Sequence, residues 1–206
     1  MTVDAHRGAA DKEARPSRDR LLTSAEQLFG ERTYRDTTVA GICSRAGIAT
    51  GSFYSHFESK QEIFSAVVDR INADVRAAMR RAMEAHGTST QRDVERAGFR
   101  AYCDVISQRP WIHRIIREAE FVVPGQFREY YETLTRRFAR GVRRAQMAGD
   151  IDPGFDPEVI AYLYTGMGNF VGMRWAEWTG GGRVPDDVLD DVFALLAHGL
   201  PPRGAA

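Results

Sequence analysis

Cysteine is scarce in this sequence: Cys43 and Cys103 are the two present. Without a CxxC spacing or clustered histidines, a disulfide framework and a zinc site are both excluded, and the two thiols are expected to be buried. Neither a metal nor a cofactor is expected. Long apolar runs are missing as well. The longest, Val159 to Met173, is interrupted by Thr165 and Asn169 and falls short of the roughly 20 residues that cross a bilayer. The first residues carry Asp4, His6, Arg7, Asp11, Lys12 and Glu13 with no apolar segment, so no secretory leader is read there and the expected location is the cytoplasm. Charge of one sign is not in excess either, with 28 basic and 28 acidic side chains among 206 residues. That balance disfavours a generic polyanion binder, whose affinity comes from phosphate neutralisation, and leaves room for a small DNA-reading surface. Lysine is nearly absent, Lys12 and Lys60 being the two, and no function is drawn from it. Strand alternation, hairpin turn signals and internal repeats are also lacking.

What is present is a chain 43% hydrophobic and 27% charged, a composition that excludes disorder as a global description. Its length suits one ordinary core, or two small ones sharing a long helix. Residues 1–17 lack apolar periodicity and are expected to form a mobile arm. From Ser17, the positions Leu21, Leu22, Ala25, Leu28 and Phe29 make one stripe of an amphipathic helix. Asp36, Thr37 and Thr38 can cap a second helix that turns Val39, Ile42 and Cys43 inward, and Gly47 supplies a turn. A short third helix from about Ala49 to His56 places Phe53 and Phe57 on one core face. Ser59 and Glu62 have the spacing of a capping box for a fourth helix running to about Ala85, about 40 Å long at ~1.5 Å per residue. Further amphipathic segments are punctuated by Gly87 to Thr90, Pro110, Pro124, the Asp-rich loop from Gly149 to Pro157, Gly180 to Gly182, Pro185 and Pro201. The fold expected is all-α, with about nine helices and no sheet.

Thr37 to Phe57 has the layout of a helix-turn-helix. Thr50, Gly51, Ser52, Tyr54, Ser55 and His56 avoid bulky aliphatic side chains, which lets the second helix approach the floor of a major groove. By layout alone, a helical hairpin with a solvated polar face is the favoured reading.

The residues from Arg20 to Phe64 carry more than layout. Ala25, Leu28, Phe29, Tyr34, Thr37, Thr38, Val39, Ile42, Ala46, Gly47, Ile48, Gly51, Ser52, Phe53, Tyr54, His56, Phe57, Ser59 and Lys60 resemble, in type and spacing, the N-terminal domain of TetR-family transcriptional regulators. Thr33, where the family usually has glycine, and Cys43, where alanine is common, depart from the pattern. The resemblance implies that Thr38 and Lys60 hold phosphates, that Tyr54 and His56 contact the DNA backbone, and that Thr50, Gly51, Ser52 and Ser55 lie nearest the bases. A point-charge lysine, hydroxyls and a glycine suit those tasks. Packing over the turn is the competing role for Tyr54, and capping its own helix the competing role for His56.

The resemblance further implies domains at residues 18–65 for DNA binding and 66–200 for effector binding and dimerisation, with a C-terminal tail at 201–206. The second region is rich in aromatic residues, which core packing also explains. Polar groups among apolar helices discriminate better, because a buried charge must be paired. His113, Arg117, Glu120, Asn169 and Arg174, together with Tyr102, Trp111, Phe121, Tyr131, Met167, Phe170 and Met173, are the candidate ligand contacts. Arg114 and Glu118 have the spacing of an i, i+4 ion pair. Gly166, Gly168 and Gly172 suggest close approach of another helix, with a twofold dimer interface as the favoured cause. The expected protein is a homodimer on pseudo-palindromic operator DNA, without membrane association. It is expected to be a repressor released by a small apolar or aromatic effector, with a lipid-like or acyl thioester compound as second choice. The helix beginning at Ser59 is the expected lever. An activator or effector-independent regulator, or a helical carrier or enzyme, is the alternative, although no nucleophile–base pair, HExxH or phosphate loop appears.

Overall fold

The computed structural model describes residues 4–86 and 90–198, excepting the side chains of 4–16, 91, 92, 197 and 198. Among them are nine α-helices and no strand: α1 Asp4–Glu31, α2 Val39–Ala46, α3 Thr50–Phe53, α4 Lys60–Ala85, α5 Gln91–Gln108, α6 Ile112–Val122, α7 Pro124–Ala148, α8 Pro157–Gly172 and α9 Asp186–His198. A five-residue π-helical segment, Met173–Glu177, continues α8. Two compact units result, Met1–Asn72 with Arg114–Arg128, and Ala73–His113 with Glu129–Ala206. Helices α4, α6 and α7 each contribute residues to both. The excursion of 114–128 into the first unit has no counterpart in a division of the chain at residue 65.

Helix α1 begins at Asp4, upstream of the start read at Ser17. Residues 4–15 lack an apolar stripe but consist largely of alanine, lysine, glutamate and arginine, which favour helix intrinsically. The tail expected at 201–206 lies outside the described residues, as do Gly87, Thr88 and Ser89. Helix α5 is nevertheless capped as a box, with Thr90 accepting from the Asp93 amide and Asp93 reaching back to the Thr90 amide.

In the first unit the aromatic side chains decide how the helices meet. Phe29, Phe53, Phe57 and Phe64 are fully buried. The Phe29 and Phe64 rings meet edge to face at 5.0 Å, and Tyr34 stands edge-on to Phe64 at the same separation. Glu26 is buried and paired with Arg70 at 2.7 Å, and Arg70 also donates to the Leu22 carbonyl, as a buried carboxylate requires. Glu118 accepts from the Tyr34 amide at 2.8 Å, so its partner is this loop rather than Arg114. Burial keeps the Cys43 thiol above its ordinary pKa, against an opposing hydrogen bond from Thr50.

The second unit packs α8 on α5 and α9. Phe99 meets Tyr164 and Phe193 edge-on at 5.7 and 5.8 Å, and burial pushes the Cys103 thiol up to about 12. Within the chain, one close approach calls for glycine in α8. A Cβ at Gly168 would lie 3.5 Å from the Phe99 ring, and one at Gly172 only 3.0 Å from Cε1 of His113. At Gly166 no atom comes within 4 Å.

Those distances set opposite signs for two similar substitutions. Helix propensity favours alanine over glycine by about 1 kcal/mol, and Gly168→Ala meets only ordinary contacts, so it should leave stability equal or higher. At Gly172 the buried His113 ring cannot retreat, and overpacking of about 1–3 kcal/mol outweighs propensity. Urea midpoints should therefore rise or hold for Gly168→Ala and fall for Gly172→Ala.

Candidate nucleic-acid interface and effector cavity

The helix-turn-helix is built by its caps. The Thr38 hydroxyl accepts from the Gly41 amide, and Gly47 closes α2 with φ of 64°, a left-handed position that its neighbours would enter only with strain. Its amide reaches the Ser44 carbonyl, and the Ile48 amide the Cys43 carbonyl. Ile42, Cys43 and Ala46 of α2 are buried together with Phe53 and Phe57. Arg45 grips Glu31 with two hydrogen bonds of 2.6 and 2.7 Å, which holds that carboxyl below its usual range and fastens the end of α2 to the end of α1.

With the apolar faces committed, Thr50, Gly51, Ser52, Tyr54 and Ser55 are left exposed and His56 half-buried. Helix α3 is a single turn, continued through His56 by turns in which the His56 amide donates to the Phe53 carbonyl. Ser55 donates back to the Ser52 carbonyl at 2.7 Å. Tyr54 lays its ring edge against Phe53 at 5.3 Å while remaining 59% exposed, so packing and an outward hydroxyl coexist. Among the described residues the His56 side chain caps nothing. A side chain at Gly51 would enter open space, which leaves the backbone there accessible.

Lys60 is turned inward. Its ammonium donates to the Tyr34 and Thr37 carbonyls, both at 2.9 Å, with Arg35 O at 3.4 Å, and lies 4.3 Å from the centre of the Tyr34 ring. An ammonium has three donors, so these carbonyls commit its protons. Glu62 accepts from the Glu58 amide, not from Ser59 as a strict capping box would have it, while Ser59 Oγ accepts from the Glu62 amide at 3.1 Å. The loop leading into α2 is thus tied to the start of α4. Thr33 tightens the same loop by bonding Asp36 at 2.7 Å, where a glycine would have no side chain to do so.

The second unit holds a cavity of about 40 Å³ lined by Val75, Met79, Phe99, Leu134, Phe138 and other side chains of α4, α5, α7 and α8. Of the sequence-derived candidates, Tyr102, Tyr131 and Asn169 line it, and His113 is buried behind Tyr102. The polar groups form a chain. Asn169 donates to the Tyr131 hydroxyl at 3.1 Å, the Tyr102 hydroxyl donates to Asn169 at 3.2 Å and lies 2.9 Å from Nε2 of His113, and Nδ1 of His113 lies 3.2 Å from Glu177. Burial holds the Tyr102 phenol well above its usual pKa, as it does Tyr130 and Tyr164, so all three stay protonated at neutral pH.

The remaining candidates lie elsewhere. Trp111, Met167 and Met173 are half-buried off the lining, Arg174 is exposed with its guanidinium 5.5 Å from the Trp175 ring, and Phe170 is 68% exposed. Arg117, Glu120 and the 83% exposed Phe121 belong to the first unit. Helical phase explains the split along α8. Tyr164, Thr165, Gly168 and Asn169 share one face, and Phe170 falls a further ~100° around the axis. Glu177, Tyr130 and Tyr164 were missed as site residues; for Glu177 the signal was a lone carboxylate between Trp175 and Trp178.

Geometry and chemistry define a helix-turn-helix of DNA-binding type in the first unit and a helical second unit with a small, largely apolar cavity. Residues 21–67 match the family of bacterial regulatory proteins, tetR family. The HTH-type transcriptional regulator UidR of Escherichia coli (strain K12) is 25% identical over 153 residues, 73% of this chain and 77% of its own length. The HTH-type transcriptional repressor KstR2 of Rhodococcus jostii (strain RHA1) is 26% identical over 186 residues, 89% of this chain and 90% of its own. Among solved structures, FadR of Bacillus subtilis in complex with stearoyl-CoA superposes with a TM-score of 0.74 at 15% identity, covering 88% of this chain and 98% of that one. Residues 21–67 are thus a DNA-binding segment of the tetR-family type, and the relatives that span most of the chain are named HTH-type transcriptional regulators.

Lys60→Ala should loosen the loop before α2, lowering stability by about 1–3 kcal/mol through the carbonyls left without a partner. A urea titration followed by circular dichroism should show the earlier midpoint; an unchanged midpoint would mean that these contacts contribute nothing to the fold.

Proposed function

We propose that the protein is a homodimeric repressor, acting in the cytoplasm, that an effector entering the second unit's cavity releases from a pseudo-palindromic operator. The observation that carries this reading is the exposed, small and polar face from Thr50 to His56, held by a fully apolar inner face. Thr50, Gly51, Ser52 and Ser55 are assigned to bases, and Thr38, Tyr54 and His56 to phosphates. For Lys60 the assignment is indirect: it holds the loop that carries Thr38, and meets phosphate only by exchanging a carbonyl for it. KstR2 is named a repressor and the FadR structure holds stearoyl-CoA, which supports ligand-responsive repression as the mode.

A dimer is supported by the apolar surface of the second unit. Val159, Tyr162, Leu163 and Phe170 of α8 and Leu195 and Leu196 of α9 are exposed, and clustered apolar positions on a helix face mark interaction surfaces. One recognition helix also reads too few bases for useful specificity, whereas two reading half-sites suffice. Phe170 is therefore assigned to this face and not to the effector. Helix α6 suits the coupling, because its first turn holds His113, bonded to the cavity-lining Tyr102, and it carries Glu118, bonded to the Tyr34 amide beside the helix-turn-helix. An effector induces release only by favouring a conformation that binds DNA poorly.

Footprinting on genomic fragments should reveal paired half-sites about one helical turn, or a multiple of it, apart. Sedimentation should give a dimer that Leu163→Arg or Phe170→Arg splits. Protection of an isolated half-site, or sedimentation of the unaltered protein as a monomer at micromolar concentration, would refute the dimeric reading.

A further inference from the structure

Among the described residues, twelve line the cavity; they include four tyrosines, two phenylalanines, a threonine and an asparagine, and none that carries a formal charge at neutral pH. Tyr164 is 7% exposed, and its hydroxyl is buried without a hydrogen-bond partner among the described residues. Leaving such a group unsatisfied costs about 1–3 kcal/mol, so a site that keeps one is suited to an occupant bringing an acceptor. Opposite in character is the Tyr131–Asn169–Tyr102 end of the polar chain, whose members already bond one another and end on His113 and Glu177.

Charge selection follows from the same chain. With Glu177 ionised, the His113–Glu177 pair is net negative or neutral, whichever form the imidazole takes. It therefore offers an anion no net attraction, and among the described residues no lysine or arginine lines the wall. A buried carboxylate would go uncompensated. A lipophilic cation would find aromatic faces, but no carboxylate on the wall, and it could accept nothing from Tyr164.

We propose that the occupant of the cavity is an uncharged, mainly apolar molecule bearing one hydrogen-bonding oxygen, with Tyr164 as the residue that selects it. This rests on the reading of the cavity as the effector site. At about 40 Å³ the space is small beside the 300–1,000 Å³ of typical ligand pockets, so occupation parts its walls. That expansion strains the Tyr102–His113 bond at the head of α6. Gly172 and the π turn support the chain: the missing Cβ lets His113 approach, and the wide turn, in which the Trp178 amide reaches the Met173 carbonyl at 2.9 Å, brings Glu177 to it. Single π turns occur often at functional sites.

Calorimetric titration of the full-length protein with 1-octanol, octanoate and octyltrimethylammonium tests this at pH 8. Octanol should bind at least tenfold more tightly than either ion. Tyr164→Phe should weaken octanol five- to tenfold and leave the affinity for octyltrimethylammonium unchanged, and Gly168→Leu, which fills the cavity, should abolish octanol binding. If Gly168→Leu does not fold by circular dichroism, Leu134→Trp takes its place. Tighter binding of either ion, lost in the cavity-filling variant, would overturn the uncharged class and leave the cavity as the site. Octanol binding indifferent to Tyr164→Phe would overturn the assignment of Tyr164. Failure of all three probes to bind, or binding untouched by the filled cavity, would overturn the effector reading itself.

Discussion

The hydrogen bond between the Tyr102 hydroxyl and the His113 ring imposes more on the second unit than any apolar contact does. A histidine, a carboxylate, an amide and two phenols inside a helical core cost several kcal/mol unless each finds a partner. The chain from Glu177 through His113, Tyr102 and Asn169 to Tyr131 meets that demand with one partner after another. Three features of the backbone serve it: glycine at 172, so that the ring fits; the π turn, which sets the phase of Glu177; and the start of α6 at Ile112, which delivers His113. A buried network of this kind is sensitive to displacement, because moving one member strands its neighbours. That sensitivity suits the switching role proposed for this unit.

The first unit obeys a different constraint. Its helices are short, and α3 is a single turn, so the recognition face owes its position to rings and caps rather than to helix length. Phe53 and Phe57 anchor α3 from below, Gly47 sets its entry, and Arg45 fastens α2 to α1. Lys60 and Thr33 then fix the loop from which Thr38 projects. The polar face is left free for DNA because the inner face is so fully committed.

Much of this was legible in the sequence where local chemistry decides. Thr38 as cap, Gly47 as turn, Phe53 and Phe57 as a buried pair, and Asp156 with Pro157 opening α8 are one-turn events whose geometry is encoded by residue type. Tyr102, Tyr131 and Asn169 could be singled out because polar groups in an apolar helix stand out. The phase of side chains around long helices was less legible: Phe170 and Asn169 are adjacent in sequence, yet one faces water and the other the cavity. Glu177 was hidden by the π turn, which shifts its direction away from that of a regular helix. The inward turn of Lys60 depends on carbonyls more than twenty residues earlier in the chain, and the return of 114–128 to the first unit depends on partners such as Tyr34 and Ser65, which no local pattern foretells.

The account's central claim is that occupation of the second unit and DNA binding by the first are linked. Linkage is reciprocal, so each ligand must weaken the other by the same factor. The direct measurement is the calorimetric affinity of the protein for 1-octanol, alone and saturated with the DNA fragment that footprinting defines, set beside the affinity for that fragment with and without octanol. The account predicts weaker octanol binding in the presence of DNA, by a factor matching the loss of DNA affinity that octanol causes. Equal octanol affinities in the two titrations, with binding still dependent on the cavity, would contradict it.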